Sequence, residues 1–182
     1  FMAEKKSVID EAFPGDIVGL HDTGNFKIGD TFTEGEKLRF TGIPSFSPEL
    51  FRYIENADPL KFKQLAKGID QLMDEGVAQL FTSSLNGRKI IGTVGALQFE
   101  VIEYRLAHEY NAACRWEPIS IYKACWIESD NAEQLADFKR RKHTNMATDK
   151  HGRDVFLADT SYALALAQEN FKDIRFYFTS EF

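Results

Sequence analysis

The sequence predicts an α+β protein: part of an antiparallel β-barrel over residues 1–46, then an α/β domain over 47–182 containing a ferredoxin-like split βαβ unit. Three observations carry this reading. Glycines recur at Gly15, Gly19, Gly24, Gly29, Gly35 and Gly42 between short β-rich runs, as in a small barrel. From Glu49 onward, apolar runs of strand length alternate with stretches of helical periodicity. Between Lys89 and Tyr110, a β-branched run, a glycine turn and a long helical pattern follow one another directly.

The elements follow in order. Ile17–Leu20, Phe26–Ile28 and Lys37–Phe40 read as short strands, with Pro14-Gly15-Asp16 and Asp22-Thr23-Gly24-Asn25 as turns. Pro44 and Pro48, with serines between, suit a linker. Leu50–Ile54 is a strand. Asp58-Pro59 then supplies an N-cap with proline at the first helical position. Phe62, Leu65, Ile69, Leu72 and Met73 form one apolar stripe, which Gly76 ends. Val77–Thr82 and Lys89–Val94 are strands joined through an Asn86-Gly87 hairpin turn. After the helix that begins near Ala96, Ala113–Trp116 closes a β-α-β-β-α-β series.

That helix is apolar on two sides. Leu97, Val101 and Tyr104 fall on one face, with Phe99, Ile102, Leu106 and Tyr110 nearly opposite. The pattern predicts a layer of structure on each side, with Val101 and Tyr104 as buried as Ile102 and Leu106. The second half could supply that layer. It reads as a strand at Ile121–Ile127, then a helix capped by Asp130 or Asn131 and running to about Ala147. A polar loop at 149–153 precedes a strand at Val155–Ala158, a helix from Ser161 to Phe171, and a last strand at Ile174–Thr179. No internal repeat is evident in the sequence itself.

Composition narrows the function classes. The formal net charge is −6, so no global basic field advertises nucleic acid, although a local patch can still dock on RNA. Sixteen phenylalanines provide ample core. Cys114 and Cys125 have no CxxC spacing and read as reduced core thiols of a cytoplasmic protein. No apolar run approaches membrane-spanning length, which predicts a soluble chain.

The candidate chemistry is sparse. No Walker phosphate loop, no GxSxG elbow and no HExxH motif occurs. Gly92-Thr93-Val94-Gly95 precedes a helix and could offer amides to a phosphate, yet glycines needed for the turn explain it better. His143 and His151, with Asp149 and Asp154, could bind a metal but more readily describe a surface loop. An RNA-recognition motif would need aromatics on the third strand, where Lys89–Gly95 has none. Two basic features survive as candidate RNA contacts: Lys61, Lys63 and Lys67 on the first helix, and Lys139, Arg140 and Arg141 on the third. No catalytic, cofactor-binding or metal-ligating residue is assigned.

Several stretches together resemble bacterial peptide chain release factor 3, the class II release factors of the translational GTPase family. Pro14–His21 and Ile28–Phe32 resemble the second, β-barrel domain of those GTPases. Phe40–Pro44, Pro48–Arg52, Asp58–Lys61, Gly95–Phe99 and Leu166–Glu169 narrow the likeness to the release factor. The split βαβ unit looks like the third domain of elongation factor G.

The resemblance implies the C-terminal portion of a cytoplasmic, ribosome-bound GTPase that promotes departure of class I release factors after peptide release. It implies a GTP-binding domain before Phe1, holding GTP or GDP and Mg, with none of its motifs in this chain. The expected partners are ribosomal RNA and ribosomal proteins, class I release factors indirectly, and that GTP-binding domain; no membrane is expected. From another class, the alternative is a ferredoxin-like regulatory module binding a small metabolite in a helix–sheet groove.

Overall fold

The computed structural model describes residues 8–21, 31–38 and 47–180. From residue 50 the order is β1 (Leu50–Asn56), α1 (Phe62–Asp74), β2 (Gln79–Ser83), β3 (Lys89–Thr93), α2 (Leu97–Glu109) and β4 (Cys114–Pro118). It continues with β5 (Lys123–Glu128), α3 (Ala132–Arg141), β6 (Met146–Asp149), β7 (Asp154–Ala158), α4 (Ser161–Asn170) and β8 (Arg175–Tyr177).

Local chemistry sets most of these boundaries. Asp58 accepts a hydrogen bond from the Leu60 amide at 3.0 Å, and Pro59 starts the short 3-10 turn that leads into α1. Asn131 caps α3 through the Gln134 amide and Thr160 caps α4 through the Ala163 amide, each at 3.0 Å. The β2–β3 turn places Gly87 at φ 71°, a conformation that a side chain would strain.

The strands form one eight-stranded sheet in the order β4-β1-β3-β2-β6-β7-β5-β8, antiparallel throughout. The first half, read from its edge, runs fourth-first-third-second. The second half, read from the opposite edge as β8-β5-β7-β6, gives the same order. The chain therefore contains two ferredoxin-like β-α-β-β-α-β units, joined at their equivalent second strands and related by an approximate two-fold between β2 and β6. The seam pairs Phe81 with Asp149, Thr82 with Thr148 and Ser83 with Ala147.

The sheet is not flat. Residues 119–122 alone connect edge strand β4 to β5, six positions away in the sheet. Flat strands at about 4.8 Å spacing would put these about 29 Å apart, while the connection reaches at most about 18 Å. The sheet must curl, bringing the helix-free faces of its halves together. Phe81 on β2 and Trp126 on β5, three strands apart in the sheet, accordingly stand with ring centroids 5.8 Å apart.

Alternating side chains then fill three cores. Leu80 and Ile91 face α1 and α2, with Leu72, Phe99, Ile102 and Leu106. Cys125 and Phe156 face α3 and α4, with Phe138 and Ala167. Phe51, Phe81, Ile90, Trp126, Val155 and Leu157 form the shared core between the two halves of the sheet.

The first unit matches the sequence reading closely, but four expectations require correction. Helix α2 is covered on one side only: Ile102 and Leu106 are fully buried, whereas Leu97, Val101 and Tyr104 are 68%, 42% and 63% exposed. The second half packs on the opposite face of the sheet and never covers this helix. Helix α3 stops at Arg141 rather than Ala147, because Met146 and Ala147 are drawn into β6, where both are buried. That unforeseen strand completes the second unit, so the internal repeat missing from the sequence is present in the topology.

The barrel reading also changes. The Pro14–Asp16 turn forms, closed by a 3.0 Å bond from the Asp16 amide to the Phe13 carbonyl. Ile17–Leu20 forms no strand, and Ile17 is fully exposed. A strand needs a neighbour to take its backbone hydrogen bonds, and no described segment pairs with this one. Phe26–Ile28, the Asp22–Asn25 turn, Phe40 and Pro44 lie outside the described residues.

Candidate functional site

The basic residues singled out in the sequence lie on two separate helices, and the fold does not bring them together. Lys61 precedes α1 and donates to Asn111 Oδ1 at 2.8 Å, which fixes the start of α1 beside the end of α2. Lys63 and Lys67 follow at i and i+4, both exposed, with no ion-pair partner among the described residues. Exposed Asp70 lies one turn beyond Lys67.

The α3 cluster is largely neutralised. Lys139 pairs with Asp154 at 2.8 Å, Arg141 pairs with Asp137 at 2.8 Å, and Arg140 pairs with the same Asp137. These guanidinium contacts hold the Asp137 carboxyl below its ordinary range, with the Arg140 hydrogen bond the largest cause. The α1 lysines consequently present the less compensated positive charge.

The turn between β3 and α2 does not fit a phosphate. Gln98, in the first turn of α2, reaches back so that its Oε1 accepts from the Val94 amide at 2.8 Å and the Gly95 amide at 3.1 Å. Its Nε2 donates to the Val77 carbonyl. The amides that might cradle a nucleotide already have an acceptor from the same chain.

The aspartates of the His/Asp group are likewise engaged, Asp154 by Lys139 and Asp149 by a wider network. Asp149 ends β6 with its side chain 7% exposed. Its Oδ2 accepts from Trp126 Nε1 at 3.0 Å and Arg153 Nε at 2.8 Å, while Oδ1 accepts from the His151 and Arg153 amides at 2.9 Å. Burial alone would push this carboxyl up; the hydrogen bonds from Trp126 and Arg153 outweigh burial and hold it below its ordinary value. This is a seam-locking network, since Asp149 stands opposite Phe81 in the β2–β6 pairing. Among the described residues no group of three or more His, Cys, Asp or Glu side chains could hold a metal ion.

Helices α1 and α2 of the first unit meet closely: a Cβ at Gly68 would come within 2.6 Å of Leu106 and 2.9 Å of Tyr110. A shallow hollow of about 510 Å³ is lined by Asp130, Asn131, Lys172, Asp173 and Arg175. Its groups are engaged with one another, Arg175 with Asp130 at 2.7 Å and Asn131 with Asp173 at 2.8 Å. Cys114 and Cys125 are free and buried in different cores, and burial pushes each thiol up to about 12.

With no catalytic constellation among the described residues, comparison with known proteins decides the class. Residues 40–168 match the family model of the class II release factor RF3, C-terminal domain. The chain belongs to that family. Residues 1–35 match the model of elongation factor G domain 2. The chain is thus a translational GTPase-related domain of a protein-biosynthesis factor family, related to elongation factor G. A crystal structure of a Thermus thermophilus protein is similar at 16% identity with a TM-score of 0.41, over 54% of this chain and 17% of that one. Among the described residues no helix is long and apolar enough to cross a membrane.

Sequence reasoning found the charged residues but not the feature that separates the two clusters. Asp137 and Asp154 quench the α3 cations, and only Asp137 was locally legible, at i−3 and i−4 from Arg140 and Arg141.

Proposed function

We propose that this chain is the C-terminal, non-catalytic portion of a translation-termination GTPase that promotes departure of class I release factors after peptide release. It would dock on the ribosome and pass displacement from a nucleotide-binding domain, which would hold GTP or GDP with Mg, to the docked surface. Residues 1–46 would belong to a barrel domain and 47–182 to a following α/β domain. The family match over residues 40–168 carries this reading. The shared core around Phe81 and Trp126 supports the relay role, because it makes two units one body that can move without deforming.

Docking through RNA phosphates would fall first to Lys61, Lys63 and Lys67, and second to Lys139, Arg140 and Arg141, whose charge is partly consumed by Asp137 and Asp154. The test is co-sedimentation with 70S ribosomes across a salt series, using the whole factor. Lys63→Glu/Lys67→Glu should weaken binding and flatten the salt slope by about two. Arg140→Glu/Arg141→Glu should have a smaller effect. Wild-type affinity and slope in both variants would remove the basic clusters from ribosome docking.

A further inference from the structure

The outward face of α2 has no counterpart on the equivalent helix of the second unit. Leu97, Val101, Tyr104 and His108 recur at intervals of four, three and four residues and so share one narrow stripe. Leu97, Val101 and Tyr104 are 68%, 42% and 63% exposed, and Tyr104 stacks on His108 with ring centroids 4.0 Å apart. The equivalent helix of the second unit is α4. Its exposed positions include Ser161, Ala165, Gln168 and Glu169, with Tyr162 the one large apolar side chain among them. The fold thus does not require an apolar outward stripe at this position.

The stripe is rimmed by acid. Glu100 and Glu103 flank one side, both exposed, with Glu103 also accepting from Trp116. On the other side Arg105 is held between Glu75 and Glu109, so its single positive charge is more than offset. Such a rim repels RNA phosphate and anionic lipid headgroups. It attracts cations, and the stripe between offers the apolar contact that an amphipathic protein segment can fill.

We propose that the outward face of α2 is a docking surface for a basic protein segment that seats apolar side chains on Leu97, Val101 and Tyr104 while its lysines or arginines meet Glu100 and Glu103. This surface is separate from the basic residues assigned to RNA contact, and the proposal stands whether or not those bind a ribosome.

The probe is a fluorescently labelled synthetic amphipathic helix with leucine on one face and lysine elsewhere, titrated with the full chain and followed by anisotropy. Three controls accompany it: the same helix with glutamate for lysine, one with serine for leucine, and a labelled single-stranded uridine oligonucleotide. The Leu/Lys helix should bind saturably. Leu97→Ser/Tyr104→Ser and, separately, Glu100→Lys/Glu103→Lys should each weaken binding at least about tenfold, while Tyr162→Ser on α4 leaves it unchanged. The glutamate and serine helices should bind far more weakly. Should Leu97→Ser/Tyr104→Ser lower the thermal midpoint, Leu97→Thr/Val101→Thr replaces it. Unchanged affinity in the α2 variants, equal binding of either control helix, or direct binding of the labelled oligonucleotide that the same α2 variants abolish would overturn the proposal.

Discussion

The two ferredoxin-like units share a strand order but not a surface. The first carries a helix, α2, whose outward stripe is Leu97, Val101 and Tyr104; the second carries α4, whose outward positions are mostly small or polar. Their inward faces differ much less: Phe99, Ile102 and Leu106 in one, and Leu164 and Ala167 in the other, are all buried against the sheet. A common core requirement, met twice, leaves the outer surfaces free to diverge. What distinguishes the halves is then what they present to the outside.

The comparison breaks most directly at the core the halves share. Trp126→Ala empties a 1% exposed site that also donates to Asp149, and should cost about 3–5 kcal/mol. Because this residue touches both halves of the sheet, the loss should appear as one displaced denaturant transition followed by probes in each half. Two separated transitions, with the first half unmoved, would show that the units fold independently.

A second pair of substitutions sharpens the contrast between the faces of α2. Leu106→Ala, on the buried side, should cost about 2–5 kcal/mol. Val101→Ala, on the exposed side, should stay within about 0.5 kcal/mol. Equal losses in chemical denaturation would mean that something covers the outward stripe.

A further substitution tests the seam itself. The Asp149 carboxyl is held below its unfolded value, so the stability it contributes is present above about pH 4 and fades as pH falls through the lower folded value. Asp149→Asn keeps the shape but removes the charge partner of Arg153. It should cost about 1–3 kcal/mol at neutral pH, and the variant should lose less stability than wild type on acidification. Parallel pH–stability curves for the two proteins would place the acid sensitivity elsewhere.

Much of the first unit was legible from local signals. The Asp58-Pro59 start, the Leu65–Met73 part of the α1 stripe ending at Gly76 and the Asn86-Gly87 turn each depend on chemistry within a few residues, and each formed; Phe62, expected on the same stripe, is instead 68% exposed. The second unit was harder because α3 has no terminating glycine. Without one, Met146 and Ala147 read as another helical turn. Only pairing of Ala147 with Ser83 and Val155 makes that segment a strand.

The basic clusters were visible as residue types, but their net charge was not. Lys139 meets Asp154 across fifteen positions, a distance no helical rule covers. The class of the chain was legible for a different reason: the stretches resembling release factor 3 extend along nearly its whole length.

By itself, then, the sequence determined which segments have strand or helical character, where the first helix begins and ends, and that no nucleotide-binding motif occurs in these residues. Tertiary structure decided which apolar faces are covered. The amphipathic pattern of α2 was the same on both sides, and the choice between them lay in where the second half of the sheet went. That was set by a connection at 119–122 too short to span a flat sheet, which curled the second unit onto the helix-free face and left Leu97, Val101 and Tyr104 in solvent.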